Sequence, residues 1–429
     1  MSSCCIPFSC WITAGIPSKA GAEKPDATTS RLLRELIAHA YRHSPYYREL
    51  FDERGIDWQS IREPADLARL PLLNKATLAA QMSRFPRPDA SPGRLRVRRT
   101  TGTSGTPLEL PVSPEEKTFD LYAWQRVYMQ AGLRIHHRQV KFIIPSAAFP
   151  KHSLLSKLGL FRREYFSTME PPAAKADYLE KIAPQAVFGH ASILGEIARE
   201  LERCGKKLRV PLIFSTSDML WPGLRAQISD RLQGEIFDLY GAVETGPVAW
   251  ECRAHDGFHI NRGLVIVELV DDQGLPAPRG HVVCTVLWRK TVPLIRYVLG
   301  DLAEWATTPC PCGNAGPRLA ALHGREHELF KLPDGGWVSA SNLVSVFVGV
   351  PGVRHFQVVQ QSERRFEYRI VPGPDYAPDS DTVILEHFRG RFGRGIEATV
   401  SHVTHIDQLP GSKFTPFISL ARQTARKSS

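Results

Sequence analysis

A segment rich in hydroxyl groups and glycine follows the basic stretch at residues 94–99. It consists of Thr100, Thr101, Gly102, Thr103, Ser104, Gly105 and Thr106. Glycines let backbone N–H groups approach phosphate oxygens closely, and hydroxyl groups add hydrogen-bond donors without bulk. The segment is not a Walker A loop, because Pro107 and Leu108 stand where Lys and Ser or Thr are needed. It indicates a polyphosphate-binding loop or, by composition alone, a flexible surface loop.

Four shorter motifs come after this segment, and each combines glycine with a charged or aromatic residue. In chain order they contain Tyr240, Gly241 and Glu244, then Gly300 and Asp301, then Gly324 and Arg325, and finally Gly411, Ser412 and Lys413. The first two motifs follow apolar runs that predict β-strands. Each motif alone is a weak signal, so the order of the motifs is the specific part.

In this order and at these separations, the five segments resemble the motif series of the acyl-adenylate-forming superfamily. The stretch at residues 39–48 resembles the opening helix of the phenylacetate–CoA ligase and CapK-type branch, and residues 70–75 fit the same branch. The resemblance runs from about Arg31 to the end of the chain. It implies an ATP-dependent, AMP-forming acid–thiol (CoA) ligase with a large α/β domain and a small, mobile α+β domain.

The resemblance assigns nucleotide-binding roles to several of these residues. The loop beginning at Thr101 would hold the β- and γ-phosphates as pyrophosphate leaves, and Tyr240 would stack on adenine. Asp301 would bind the ribose hydroxyls, because an ionised carboxylate offers only acceptors to a diol. A structural Tyr240 and a turn-forming Asp301 are the alternatives. The implied nucleotide-binding set is Gly102, Thr103, Ser104, Gly105, Ser217, Asp218, Tyr240, Gly241, Asp301 and Arg325.

Lys413, Glu244 and Thr101 are the catalytic residues that the resemblance implies. Glu244 would hold Mg²⁺, a hard cation that favours oxygen ligands. Lys413 would reach the α-phosphate and stabilise the transition state, unless it is a solvated side chain in a C-terminal turn. Arg325 would lie at the hinge between the domains. Val243 departs from the family pattern, in which Thr usually precedes the glutamate.

The implied reaction begins when a substrate carboxylate attacks the α-phosphate, which produces acyl-AMP and pyrophosphate. The small domain then rotates so that the acyl group passes to CoA. An amine acceptor, as in an amide synthetase of polysaccharide or natural-product biosynthesis, stays open. Residues 188–192 and 215–218 are predicted to line the acyl pocket. Gly189 and Ala191 would leave room for an aryl or arylacetic acid, and His190 would contact its carboxylate or begin a helix.

A metal site is predicted from Cys252, His259, Cys310 and Cys312. Zinc accepts such a Cys₃His set in structural sites, although the C-x-C spacing is tighter than the usual knuckle. Buried free thiols are an equal alternative by spacing. Some CapK-like proteins carry matching positions, so the resemblance implies a structural zinc. His255 is a competing ligand.

Alternating strands and helices must position these residues. A large domain is predicted at residues 31–323 and a small α+β domain at residues 324–429. An amphipathic helix with Ser30 as its N-cap would open the folded part and run to about Glu53. The predicted strands lie at residues 140–144, 186–188, 212–214 and 235–239, the helices at 193–204 and 224–232, and a β-rich antiparallel subdomain at 264–269, 282–287 and 293–297.

Composition excludes some classes of protein. The 429 residues contain no apolar run long enough to span a membrane. The five cysteines that follow residue 30 are too sparse for a disulfide framework, which indicates a reducing, cytoplasmic location. Residues 1–30 are predicted to be a disordered leader, and a homodimer stays open. The net charge of +10 and the arginines at 94, 96, 98 and 99 leave a zinc-containing nucleic-acid-binding protein as the alternative from another class.

Overall fold

The computed structural model describes most of the chain, apart from the two ends and several short internal segments. The described residues are 27–85, 95–99, 108–143, 156, 158–217, 220, 222–325, 329–333, 337–339, 343, 345–347, 350–392, 395–406 and 417–420. The predicted leader lies outside this set as far as residue 26. No helix in the described ranges is long and apolar enough to cross a membrane.

The described chain opens with two helices, α1 (Ala27–His43) and α2 (Pro45–Glu53). The prediction of one helix with Ser30 as its N-cap is therefore wrong, because Ser30 lies inside α1. Proline lacks the N–H that a continuing helix needs, but it is accepted in the first turn of a new one. Ser44 occupies the N-cap of α2, and its side chain accepts a hydrogen bond from a backbone N–H of that helix.

The hydroxyl group of Tyr47 connects α2 to a distant part of the chain. It donates to Pro293 O at 2.9 Å and accepts from Ile295 N at 3.2 Å, and both bonds are buried. A second connection lies nearby, where Leu73 N donates to Arg296 O at 2.9 Å. The N-terminal helices are thereby fixed to the segment that leads into the strand beginning at Tyr297.

Among the described residues, eleven strands form one sheet in the order β10-β11-β12-β13-β9-β8-β7-β6-β5-β3-β4. Strands β4, β3, β5, β6 and β7 run parallel, and the strands from β7 to β10 pair antiparallel. The bounds are β3 Gln139–Ile143, β4 Arg163–Ser167, β5 Ala186–His190, β6 Leu212–Thr216, β7 Glu235–Ala242, β8 Gly246–Glu251, β9 Phe258–Ile260, β10 Val265–Val270, β11 Arg279–Val286, β12 Tyr297–Trp305 and β13 Arg318–Arg325.

Helices cover both faces of the parallel half. On one face, α5, α6 and α7 bury a core of aliphatic side chains against the strands. On the other face, α4 packs through Tyr128, whose ring lies 4.7 Å from that of Phe188 and 5.1 Å from that of Phe214. The bounds are α3 Lys75–Ala80, α4 Pro114–Gln130, α5 Pro172–Ile182, α6 Ala191–Arg203 and α7 Pro222–Leu232. The predicted α/β alternation is confirmed.

The predicted β-rich region is antiparallel, and it forms part of the large sheet. Its strands β10, β11 and β12 continue the same sheet through β13, β9 and β8 to the parallel half. Residues 293–296 were also predicted as strand, but β12 begins at Tyr297. Arg296 has φ +51°, a left-handed conformation that strand residues do not adopt.

A short hairpin encloses the hydroxyl-rich segment. Strand β1 (Arg96–Arg99) pairs antiparallel with β2 (Glu109–Val112), and Arg99 lies opposite Glu109. Residues 100–107 connect the two strands and lie outside the described residues. The two ends of the predicted phosphate loop are therefore held side by side.

The small C-terminal part contains a four-stranded sheet in the order β18-β17-β16-β19. Helix α8 packs on it through Ile384 and Phe388, which are buried with Tyr368 and Phe366 of β17. This arrangement confirms the predicted α+β pattern. The bounds are β14 Leu329–Lys331, β15 Trp337–Ser339, β16 Val353–Ser362, β17 Arg365–Pro372, α8 Ser380–Phe392, β18 Glu397–His402 and β19 Phe417–Ser419.

Tyr47→Phe is expected to lower the free energy of unfolding by about 1–3 kcal/mol, because Pro293 O and Ile295 N would lose a buried partner. Tyr41→Phe is the matched control, since its hydroxyl donates to Asp52 at the exposed surface. We expect that control to change stability by less than about 0.5 kcal/mol. Urea unfolding measures both variants, and equal midpoints would show that the buried bonds do not stabilise the junction.

Candidate functional site

Tyr240 and Asp301 meet in the folded chain. The Tyr240 hydroxyl donates to Asp301 Oδ2 at 2.7 Å, although their strands, β7 and β12, are separated in the sheet by β8, β9 and β13. A charge-assisted bond of this length is stronger than a neutral one. The bond orients the Asp301 carboxylate against the tyrosine side chain. Two residues predicted to bind the nucleoside thus lie side by side.

Glu244 is held by the same strand as Asp301. Its side chain is buried, and its Oε1 accepts a hydrogen bond at 3.4 Å from the hydroxyl of Tyr297, the first residue of β12. Tyr240 and Glu244 are four residues apart, as are Tyr297 and Asp301. The β7–β8 turn is therefore attached to β12 at two points. Sequence reasoning missed Tyr297, which lies in the unbroken apolar and aromatic run before Gly300.

The backbone of this turn is tightly enclosed. A Cβ added at Gly241 would lie 2.4 Å from Gly246 O and 3.1 Å from the ring of Trp124. Gly246 has φ +73°, and a Cβ there would lie 2.7 Å from Asp120 Oδ1. Only glycine fits at both places. The turn carrying Glu244 is therefore packed directly under α4.

The structure describes only some of the other residues that are predicted to bind the nucleotide. Arg325 lies opposite Asp301 in the β12–β13 pairing, so their backbones are adjacent. Ser217 follows β6 in a left-handed conformation with φ +71°, which is strained for serine and typical of functional sites. Outside the described residues lie Thr101, Gly102, Thr103, Ser104, Gly105, Asp218 and Lys413, together with the side chain of Arg325.

The predicted acyl segment does not leave the room that its small residues suggested. A Cβ at Gly189 would lie 3.3 Å from Leu194 and 3.6 Å from Phe142, and Ala191 is fully buried. These two residues fill the core between the sheet and α6, which explains their small size. Phe188 points to the opposite face, where it packs in the aromatic cluster under α4.

Two arginines near the turn form a charged group that sequence reasoning did not resolve. Arg98 Nη2 pairs with Asp120 Oδ2 at 2.7 Å. Arg289 Nη2 donates to Val243 O at 3.1 Å, and its side chain is fully buried. The sequence feature that could have drawn attention to Arg289 is a basic residue within the mainly apolar stretch that leads into β12.

The four predicted metal ligands come together. The ligand atoms of Cys252, His259, Cys310 and Cys312 all lie within 4.8 Å of one another. Cys252 Sγ is 3.6 Å from Cys310 Sγ, and Cys312 Sγ is 3.4 Å from His259 Nε2. Tetrahedral zinc with bonds of about 2.3 Å to sulfur gives ligand–ligand distances of roughly 3.8 Å, so the set fits that ion.

His255, the competing ligand, is occupied elsewhere. Its Nδ1 lies 3.4 Å from Glu251 Oε2 and its Nε2 lies 3.5 Å from Glu235 Oε1. Glu251 also receives Arg225 at 2.7 Å and the backbone N–H of Asp238 at 2.9 Å. Burial, followed by the negative charge of Glu251, raises the pKa of Asp238 to about 8. These residues form an ionic network around β7 that does not include the four predicted metal ligands.

Comparisons with known proteins identify sequences that are similar to this chain. Residues 330–419 match a family model described as the CapK C-terminal domain. A phenylacetate–coenzyme A ligase of Thermus thermophilus is 26% identical over 364 residues, which are 80% of this chain and 79% of the relative. A second phenylacetate–coenzyme A ligase, from Aromatoleum evansii, is 26% identical over 341 residues, 72% of each chain.

The fold is also similar to that of a solved enzyme. A crystal structure of 2-hydroxyisobutyryl-CoA ligase, in the postadenylation state with 2-HIB-AMP, superposes with a TM-score of 0.76 at 19% identity. The superposition covers 96% of this chain and 94% of that chain. The predicted fold class, a large α/β domain with a small α+β domain, is confirmed by this similarity and by the family model.

Proposed function

The chain is related to the phenylacetate–CoA ligases and carries a CapK C-terminal domain, and from this premise we propose an ATP-dependent, AMP-forming CoA ligase. It adenylates a carboxylic acid and passes the acyl group to CoA. The relatives named above support this chemistry at both steps. A cytoplasmic location, the domain boundary near residue 323 and a homodimer stay predictions.

One observation carries the proposal. Tyr240 and Asp301 are joined at 2.7 Å, Glu244 is tied to the same strand, and Arg325 lies opposite Asp301. These residues come from three separate sequence motifs. A structural role for Tyr240 alone does not explain why a ribose-binding carboxylate and a buried metal-binding carboxylate are positioned by the same strand.

The proposed adenylation uses these groups for positioning and electrostatics. The substrate carboxylate attacks the α-phosphorus, and the bond to the bridging oxygen of pyrophosphate breaks. Asp301 orients the ribose, and Lys413 stabilises negative charge at the α-phosphate. Mg²⁺, when bound through Glu244, neutralises phosphate charge. The hydroxyl-rich loop from Thr101 retains the departing pyrophosphate.

We further propose an aryl or arylacetic acid as substrate. Trp124 borders Gly241, and its ring stacks on that of Tyr128 with centroids 6.0 Å apart, so an aromatic surface lies beside the motif that would hold adenylate. Offset stacking on such a surface favours a flat substrate. This support replaces the argument from Gly189 and Ala191.

Nucleic-acid binding has less support from the contacts. Arg98, one of the arginines behind that alternative, is ion-paired with the buried carboxylate of Asp120. A side chain engaged in this way is not available to a phosphate backbone. Salt-sensitive binding of DNA or RNA without ATP turnover would favour the alternative.

Pyrophosphate release tests the proposal directly. The protein is incubated with ATP, Mg²⁺ and a panel of aryl, arylacetic and aliphatic acids, with CoA, with an amine, or with neither, and products are identified by mass. We expect acid-dependent release and an acyl-CoA product, strongest with an aryl acid. Absence of acid-dependent release from every member contradicts adenylation, and amide products would identify an amine acceptor.

Lys413→Ala is expected to slow acyl-AMP formation by about 10²–10³-fold, as for the loss of one preorganised donor to a transition-state charge. Conversion of supplied acyl-AMP and CoA to acyl-CoA should change little. Lys331→Ala is the control within the same domain, because Lys331 forms an exposed ion pair with Glu363 at 3.0 Å. Unchanged adenylation in the Lys413 variant would show that the catalytic assignment is wrong.

We also propose that Cys252, His259, Cys310 and Cys312 bind one structural zinc ion. Four protein ligands leave no open position for water or substrate. The backbone N–H groups of Ala254 and Asn314 lie 3.4 and 3.5 Å from the sulfur atoms of Cys252 and Cys312, an arrangement that stabilises thiolates. The ion would connect three parts of the sheet: Cys252 after β8, His259 in β9, and Cys310 and Cys312 in the segment between β12 and β13.

Metal analysis of the purified protein is expected to give about one zinc per chain. Cys310→Ser should lose most of it and melt at a lower temperature, because metal binding contributes to folding free energy. Cys204→Ser is the matched control, since Cys204 is exposed and lies outside the four-ligand set. Equal zinc content in the two variants, or none in the parent protein, would contradict the site.

A further inference from the structure

Lys141 is a charged side chain in the parallel half of the large sheet. It occupies the middle of β3, a strand that pairs with β4 on one side and with β5 on the other. Strands of this kind carry mainly aliphatic residues, because both of their faces are covered. The side chain is half-buried, and among the described residues its ammonium group has no hydrogen-bond or ion-pair partner. A lysine in such a position calls for a specific explanation.

The face of the sheet on which Lys141 lies follows from its neighbours. Val140 and Phe142 pack in the aliphatic core under α5, α6 and α7. Successive side chains of a strand point to opposite faces, so Lys141 points toward α4. Its register partners are Tyr165 of β4 and Phe188 of β5, and Phe188 belongs to the aromatic cluster under α4. Lys141 therefore lies at the border of that cluster.

A second cation, Arg163 of β4, lies beside the same aromatic cluster. Its guanidinium carbon is 5.7 Å from the centroid of the Phe188 ring. Its Nε and Nη2 donate to Gln139 Oε1 at 3.1 and 3.0 Å, and Nη2 also donates to Gln125 Oε1 at 3.2 Å. Both acceptors are uncharged, so these bonds orient the guanidinium without neutralising it. Burial, followed by the charge of Arg163, lowers the pKa of Lys141 to about 8.

Asp120 is the carboxylate whose charge acts on Lys141, but the two form no ion pair. Its Oδ2 is bound by Arg98 at 2.7 Å. Its Oδ1 faces Gly246, where an added Cβ would lie 2.7 Å away. Asp120 is therefore the counter-ion of Arg98. Lys141 and Arg163 remain as two neighbouring cations with no paired carboxylate in the part of the chain that the structure describes, and such a surplus of positive charge suits an anionic ligand.

A row of aromatic rings leads from the proposed nucleotide site to these two cations. Trp124 borders Gly241 and stacks on Tyr128 with centroids 6.0 Å apart. The Tyr128 ring lies 4.7 Å from that of Phe188, the register partner of Lys141. Strands β7 and β3 are three positions apart in the sheet, a separation of roughly 14 Å at the usual strand spacing. An aryl ring and an extended lysine side chain together span that interval.

We propose that Lys141 and Arg163 bind a second carboxylate on the substrate, so that the enzyme selects an aryl or arylacetic acid with an additional anionic group. This inference rests on the proposed adenylation. One carboxylate of the acid attacks the α-phosphorus, while the other stays ionised against the two cations. Lys141 keeps its proton throughout and forms no covalent bond. An acid without the second charge would leave both cations uncompensated, and the site would discriminate against it.

Matched pairs of acids test this specificity. The probes are 3- and 4-carboxyphenylacetic acid and the corresponding carbamoylphenylacetic acids, in which an amide of similar shape replaces the second carboxylate. Acid-dependent pyrophosphate release by the full-length protein gives kcat/KM for each acid with ATP and Mg²⁺. We expect the parent protein to prefer the dicarboxylate of at least one pair by about ten- to hundredfold, the effect of a charge-assisted hydrogen bond.

Lys141→Met is expected to reduce that preference by about tenfold or more, because the charge that recognises the second carboxylate is removed. The loss should appear mainly in the KM of the dicarboxylate, since the contact is the same in the ground state and the transition state. Arg163→Gln should reduce the preference in the same direction. If Lys141→Met does not fold, the Arg163 variant decides the question through the same ratio.

Lys175→Met is the matched control. Lys175 is a buried lysine of α5, on the opposite face of the sheet, and it is paired with Glu196 at 2.7 Å. We expect this control to lower thermal stability without changing the preference between the two members of a pair.

The outcomes separate the two proposals. A parent protein that releases no pyrophosphate in response to any acid of the wider panel contradicts the adenylation itself. A parent that adenylates acids without preferring either dicarboxylate overturns the role of Lys141 and Arg163 and leaves the adenylation untouched. The same conclusion follows if both variants retain the parent's preference, including the case in which they slow the reaction of every acid equally.

Discussion

The bond between the Tyr240 hydroxyl and Asp301 joins the two halves of the large sheet at the candidate site. Tyr240 is on the last parallel strand, and Asp301 is on a strand of the antiparallel region. A hydrogen bond across that interval requires the strands between them to keep their order, twist and register. The tight turn at Gly241 and the bulged pairing of β12 with β13 are part of this requirement. The site therefore depends on the continuity of the sheet.

Other groups reinforce the same connection from outside the sheet. Asp120 and Trp124 of α4 press on the β7–β8 turn, and Arg98 attaches the β1–β2 hairpin to that helix. On the opposite flank, the Cys₃His set gathers the ends of β8 and β12 around β9. The β7–β8 turn is therefore supported by a helix and a hairpin, and the cysteine cluster joins neighbouring segments of the same sheet.

The alternation of strands and helices was predicted well, because the spacing of apolar residues along a strand or an amphipathic helix is visible over a few residues of sequence. Motif order also selected Tyr240 of β7 and Asp301 of β12, the candidate site residues that the fold brings into contact. The sequence did not predict that β12 belongs to the main sheet, since strand pairing over such separations leaves no local pattern. Gly189 shows a related limit: a small residue can indicate space for a ligand or close packing, and only the neighbours Leu194 and Phe142 decide between them.

Two further residues, Pro45 and Arg289, show what local sequence patterns do not predict. Pro45 begins α2, so the proline marks a helix boundary that the apolar spacing alone does not show. Arg289 carried almost no signal, because the burial of a charged side chain is a property of the whole fold. Its buried Nε and Nη1, which have no hydrogen-bond partner among the described residues, become visible only in the folded structure.

The attachment of α2 to Pro293 has a consequence for biosynthesis. The two partners are 246 residues apart in the chain, so the helix leaves the ribosome long before its binding surface exists. At roughly 5–20 residues per second, that interval is on the order of tens of seconds. During this time the apolar face of α1, with Leu33 and Leu36, has no native partner from the β12 region. The contacts that hold α1 and α2 to the β12 region can therefore form only late in synthesis.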